Sequence, residues 1–180
     1  MEERLDVLDR FGNLTGKSET KRDIKKGGIW HHTVHVWMLN NENQLLLQRR
    51  AVDKSLYPNL WDISVGGHIR SGETKERAAI REISEEILLE LSEDRLEYQY
   101  SIRNCKMDDD GIEIRAINHI FTVIIDSTKD SYAVDNDEVQ DLKWVNIEDL
   151  ESLFFDVDSH DLVPHGDKYY GVLLEVLHKI

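Results

Sequence analysis

From Thr74 to Leu88 the chain runs without glycine or proline, and Ile80, Ile83 and Ile87 recur at spacings of three and four. That is the apolar stripe of an amphipathic helix, with Thr74 placed to serve as its N-cap. On a wheel of 100° per residue, Glu82, Glu85 and Glu86 fall within an arc of about 100° beside the stripe. Like charges at i, i+3 and i+4 cost an isolated helix roughly 0.2 to 0.5 kcal/mol per pair, so the row is unfavourable unless cations compensate it. Hard divalent ions such as Mg²⁺ and Mn²⁺ take such oxygen ligands. A solvated acidic face explains the same three residues without any ligand, and the helix alone leaves both readings open.

Around this helix the pattern alternates between strands and turns. Arg4 to Gly16 reads as a short hairpin turning near Asp9 to Asn13, and the polar stretch Lys17 to Gly28 as a loop. Thr33 to Leu39 alternates as a strand, with Val34, Val36 and Met38 on one face and Thr33, His35 and Trp37 on the other; a turn at Asn40 to Asn43 leads into Gln44 to Arg50 as its hairpin partner. Trp61 to Val65 is a short strand ending at Gly66 and Gly67. Two long strands, Arg95 to Met107 and Ile112 to Ile125, are joined by a turn at Asp108 to Gly111, and an acidic loop at Asp130 to Glu138 precedes a strand through Trp144. Asn146 and Asp167 read as N-caps of two closing helices, the second carrying Val172, Leu173, Val176 and Leu177.

The bulk properties narrow the function classes. At 180 residues the sequence fits one domain, 1–180, with an N-terminal β-hairpin and a C-terminal helix. Its longest apolar runs, such as Phe121 to Ile125, are far short of the ~20 residues that cross a bilayer, so no membrane partner is expected. The first ten residues lack the pattern of a secretory signal, and a single cysteine, Cys105, fits a reducing cytoplasm. A net charge of −14 opposes non-specific binding to a nucleic-acid polymer. Any anionic substrate must meet local cations: metal ions held by carboxylates, or basic groups such as Arg49, Arg50, Lys54 and Arg70.

The wider spacing points further. Gly67, five residues, Glu73, seven residues, Arg81-Glu82-Ile83, Ser84 and Glu85-Glu86 resemble the Nudix box, spanning 67–89 here. Leu88 stands where that family usually has glycine, which suggests a less sharply turned helix exit. The resemblance implies an α+β fold, an α/β/α sandwich with a mixed central β-sheet, and a Mg²⁺-dependent hydrolase (Mn²⁺ as substitute) that cleaves a diphosphate linkage in a nucleoside-diphosphate-type or related small molecule. It implies metal ligands at Glu82, Glu85, Glu86 and the backbone of Gly66, and an ion pair of Arg81 with Glu73 that holds helix and loop in register. Glu138, six residues before Trp144, falls where many members carry the general base; Glu85 itself as base, or a purely structural acidic loop at Glu138, are the competing assignments. The catalytic set is thus Glu85, Glu138 and Arg81, with Arg49, Arg50, Arg70 and His68 as substrate contacts; Trp30, Trp37, Trp61 and Tyr57 could stack on a base, but core or rim packing is the default role for each unless it lies beside the metal. The protein is expected to act as a monomer or homodimer.

Val34 to Trp144 also resembles the isopentenyl-diphosphate isomerases, a sister family. Those enzymes need a cysteine where this chain has Gly66, and glutamates that fall near Ile114 and Ala116. Both are missing here, although His31 and His68 fall where isomerase metal ligands lie. The resemblance therefore favours an isomerase-like Nudix hydrolase over an isomerase or a ligand-sensing module that has lost turnover.

Overall fold

The computed structural model describes residues 2–107, 111–126, 130–134, 137–155 and 161–179. Strands β1 (Arg4–Leu8) and β2 (Leu14–Thr20) form the expected hairpin, closed by Asp9, whose Oδ1 accepts from the Phe11 and Asn13 backbone. The stretch read as a loop is more ordered than that. Strand β2 continues to Thr20, and helix α1 (Lys21–Gly27) follows, N-capped by Thr20 and anchored by Ile24, its one buried side chain. A single apolar residue gives no periodicity, which is why the pattern of the sequence hides this helix.

The centre is β3 (His31–Asn40), buried on both faces: Val34, Val36 and Met38 enter one core, Trp37 and Leu39 the other. It runs parallel to β8 (Glu113–Ile125) and antiparallel to β6 (Val65–His68), and meets β4 (Gln44–Arg50) only beside the turn, where Leu39 faces Leu45. Strand β4 pairs instead with β5 (Trp61–Asp62) and along its length with β9 (Val139–Asn146), while β7 (Glu97–Met107) edges β8. The sheet is mixed, as expected. The segment Trp61 to Val65 is not one strand ending at the glycines. Ser64 interrupts it, its hydroxyl donating to Leu46 O and accepting from Met38 N, and β6 then runs through Gly66 and Gly67 opposite His35 and Val34.

Helix α2 (Lys75–Ile87) covers one face with Ala78, Ala79, Ile83 and Ile87. Helices α3 (Ile147–Phe155) and α4 (Asp167–Leu177) cover the other, where Leu150, Tyr169, Tyr170, Leu173 and Leu177 pack under Trp37. Thr74 caps α2 as the sequence predicts, accepting from Arg77 N at 3.2 Å. Asp167 is the first residue of α4 rather than its cap; Gly166 (φ 91°), which a side chain would strain, makes the entry turn. Leu88 is a second correction: at φ 51°, ψ 32° it takes the left-handed turn a glycine would supply, so the helix exit is sharp. Of the turn read at Asp108 to Gly111, only Gly111 lies among the described residues. No helix among the described residues is long and apolar enough to cross a membrane.

Candidate active site

The face of α2 beside its apolar stripe is buried. Glu82 and Glu86 are only 8% and 5% exposed, one turn apart, against β6 and β4. Glu86 Oε2 accepts from Gln48 Nε2 at 3.0 Å and from Gly66 N at 3.3 Å, both neutral donors. Burial, reinforced by Glu82 and Glu138, pushes its carboxyl up to about 8. Glu82 is raised by burial too, against the opposing pull of Arg81.

Arg81 ties the loop to the helix. Its guanidinium donates to both Glu73 oxygens at 2.9 Å, to His68 O at 2.9 Å, to Glu82 Oε1 at 2.7 Å and to Glu85 Oε2 at 3.1 Å. Burial alone would raise the Glu73 carboxyl, but the hydrogen bonds and charges of Arg81 and Arg70 together outweigh it and hold Glu73 below its ordinary value. The expected pair is present, and Arg81 spends its donors on the protein. Glu85 sits farther out, its side chain 48% exposed, between Arg81 and Arg70, whose Nη2 donates to it at 3.2 Å.

The two glycines of β6 differ sharply. A Cβ on Gly66 would meet only ordinary contacts at 3.6 to 3.8 Å, from Ile63, His35 and Val34 O; one on Gly67 would lie 2.0 Å from Glu82 Cδ. The Glu82 carboxylate thus occupies the volume of an absent side chain.

A cavity of about 650 Å³ opens over this wall and gathers most of the predicted residues: Gly66, His68, Glu82, Glu85, Glu86 and Glu138, with Arg50 and Arg70. Glu138 comes to it from the far end of the chain, its Oε2 2.5 Å from Lys54 Nζ. His68 stacks on His31 with ring centroids 5.3 Å apart, and burial holds both imidazoles below their ordinary values.

Arg49 does not reach the cavity. Side chains alternate along a strand, so with Gln48 and Arg50 turned toward α2 and the cavity, Arg49 points away, donating to Asn59 O and lying 5.6 Å over the Trp61 ring. The aromatics take the default packing role instead of stacking on a ligand. Trp37 is fully buried and donates to Tyr169 Oη at 2.9 Å, Trp30 lies under Arg103, Trp61 under Lys143, and Tyr57 beside Lys106, none of them lining the cavity. What the sequence reading missed is α1, whose Lys21, Arg22 and Lys25 line the cavity mouth with Arg115 of β8. The usable signal was Thr20 three residues before Asp23 and Gly28 at the exit, a cap at each end of a polar stretch.

Among the described residues no three His, Cys, Asp or Glu side chains converge as a finished cation cage, because Glu85 turns toward Arg70 and Arg81. The donors nevertheless suit a hard cation. Two buried carboxylates repel each other at the cavity wall, Glu86 accepts hydrogen bonds only from neutral donors among the described residues, and a third carboxylate stands one turn away. At the positions where an isomerase needs its other acids, Ile114 presents an aliphatic side chain to the cavity and Ala116 is buried beside His31 in the β3–β8 ladder.

The chain is 31% identical over 181 residues to Nudix hydrolase 3 of Arabidopsis thaliana, covering 98% of itself but only 23% of that longer protein. It is 33% identical to isopentenyl-diphosphate Delta-isomerase 2 of Photorhabdus laumondii, covering 85% of this chain and 82% of that one. In fold it resembles the crystal structure of DR0079 from Deinococcus radiodurans, with a TM-score of 0.69, 24% identity and 98% of each chain covered. With residues 30–165 matching the NUDIX domain model as well, the chain belongs to the Nudix family, with both hydrolases and isopentenyl-diphosphate isomerases among its relatives.

Proposed function

We propose that this protein is a cytoplasmic, Mg²⁺-dependent pyrophosphohydrolase, one domain over residues 1–180, that cleaves a diphosphate linkage in a nucleoside-diphosphate-type or related small molecule. The observation that carries the reading is Glu86: a buried carboxylate with no cation among the described residues in hydrogen-bonding reach, beside Glu82, at the wall of a cavity that also holds Arg50, Lys54 and Arg70. Glu82, Glu85, Glu86 and the Gly66 backbone would hold Mg²⁺, with Mn²⁺ as substitute. Bound there, the ion supplies neutralisation of phosphate charge and a lowered pKa for the attacking water.

The chain's own residues do the rest. Arg50 and Arg70 bind and orient phosphate oxygens, with His68 beside them on the cavity wall. Arg81 keeps Glu82 and Glu85 aligned with the loop after β6. Glu138 takes a proton from water once Lys54, 2.5 Å away, turns to the substrate and frees the carboxylate. The isomerase reading draws support from the Photorhabdus relative, but Gly66 and Ile114 supply neither the thiol nor the acid that chemistry uses.

The test is a panel of diphosphate compounds incubated with pure protein and Mg²⁺, with Glu86→Gln as control. Turnover confined to the wild type supports the reading; equal turnover in both places the activity elsewhere. Isomerisation of isopentenyl diphosphate without phosphate release would replace it with the sister chemistry.

A further inference from the structure

Behind the cavity lies a buried charged cluster that this mechanism leaves unused. Asp62 of β5, 7% exposed, accepts from Arg50 Nη1 at 3.1 Å with one oxygen, and with the other pairs with His165 Nε2 at 2.6 Å and accepts from Ile63 N at 2.8 Å. His165 is fixed in turn. Its ring stacks on Tyr169 at 4.5 Å, and residues 161–163 are stitched onto β5, Trp61 N donating to Asp161 O and Val163 N to Trp61 O. Arg50 is the one member that reaches the cavity. Its Nε donates to Leu56 O at 3.1 Å and its Nη1 to Asp62, whereas Nη2 makes no bond among the described residues.

Burying a carboxylate this deeply is costly, and packing alone would be served as well by apolar residues of similar volume. The cluster instead fixes two donors of a planar guanidinium, Nε and Nη1, and leaves Nη2 for a ligand. We propose that Asp62, held by His165 from the segment before α4, is the positioning residue that presents Arg50 to the substrate's diphosphate. This rests on the diphosphate reading given above. An arginine tethered at two donors loses little freedom on binding and meets two phosphate oxygens in a set orientation; untethered, the long side chain must be ordered by the ligand. The C-terminal segment, on the opposite side of the sheet from α2, thereby sets the affinity of the site.

A double-mutant cycle tests this, read by calorimetric binding of inorganic pyrophosphate in Mg²⁺. Asp62→Asn should weaken binding about tenfold in the wild-type background and have no effect in the Arg50→Ala background, the coupling expected when one residue acts through its neighbour. An equal loss in both backgrounds, or wild-type affinity in Asp62→Asn, overturns the proposal. Should Asp62→Asn fold poorly, His165 carries the test: His165→Gln, which keeps a donor for Asp62, should bind within about twofold of wild type, and His165→Phe should lose about tenfold only while Arg50 is present. Equal binding by the Gln and Phe variants also overturns it. A wild-type protein that does not bind pyrophosphate at all would sink the diphosphate reading itself and this proposal with it.

Discussion

Asp62 of β5 and Glu86 of α2 are both almost fully buried carboxylates, yet their surroundings drive them in opposite directions. Burial would raise each. At Asp62 the neighbouring His165 and Arg50 more than reverse that, holding the carboxyl far below its ordinary range. At Glu86 nothing reverses it: Glu82 and Glu138 add to the burial, Lys54 and Gln48 oppose weakly, and the carboxyl rises to about 8. The protein completes one charge with Arg50 and a hydrogen-bonded His165 and leaves the other incomplete, facing a cavity. An unfinished buried charge is a strong pointer to where a ligand belongs.

Mutation of the two carboxylates should separate these roles most sharply. Glu86→Gln is expected to reduce turnover about a thousandfold, since several kcal/mol of charge stabilisation go with a bound cation, while thermal melting shows no loss of stability. Asp62→Asn should do the converse to stability, lowering it by about 3 kcal/mol as Arg50 loses its buried counter-charge and His165 its carboxylate partner. A destabilised Glu86→Gln protein would erase the contrast. Adding Mg²⁺ at a hundred times its dissociation constant should stabilise the wild type by about 2.7 kcal/mol through preferential binding to the folded state. Calorimetric scans of Glu86→Gln should show little of that gain.

The same contrast predicts a pH profile in metal-free buffer. Glu86 has a folded value raised from 4.5 to about 8, so the folded state holds the proton more tightly; its contribution is fully present below 4.5 and is lost as pH rises through about 8. Asp62 is depressed, so its contribution is present above 3.8 and lost as pH falls through the folded value. His35, buried neutral beside Tyr169 and held down to about 3, adds to the acid limb, because the unfolded chain takes up its proton first as pH falls below 6.5. Melting temperatures from pH 4 to 9 should therefore lose the alkaline decline in Glu86→Gln and keep the acid one. The smallest expected effect lies at the end of the same helix: Leu88→Gly should stabilise by about 1 kcal/mol, since Leu88 is exposed and left-handed at φ 51°.

How much of this was readable in advance follows from the distance over which each signal acts. The α2 carboxylates, their cap and the Arg81–Glu73 pair lie within one local motif, and their spacing carried them. Period-two alternation could also have separated Arg49 from Arg50, which a purely chemical reading of the two arginines did not attempt. Helix α1 lacked periodicity, and its basic side chains reach the cavity only because β1 and β8 seat it there. The Asp62–His165 contact joins residues 103 positions apart and leaves no local trace. Leu88 shows the opposite error: the chain takes a left-handed turn there although the propensity of leucine argues against it.

The unequal room around the two adjacent glycines of β6 bears on how such sequences diverge. A small side chain arriving at Gly66 would find ordinary contacts, so the backbone is already shaped to accept the first atom of the thiol on which the isomerase branch depends, while a single methyl at Gly67 would evict the Glu82 carboxylate. Drift from one chemistry toward the other can pass through position 66 without remodelling a strand, and position 67 is where any such path closes.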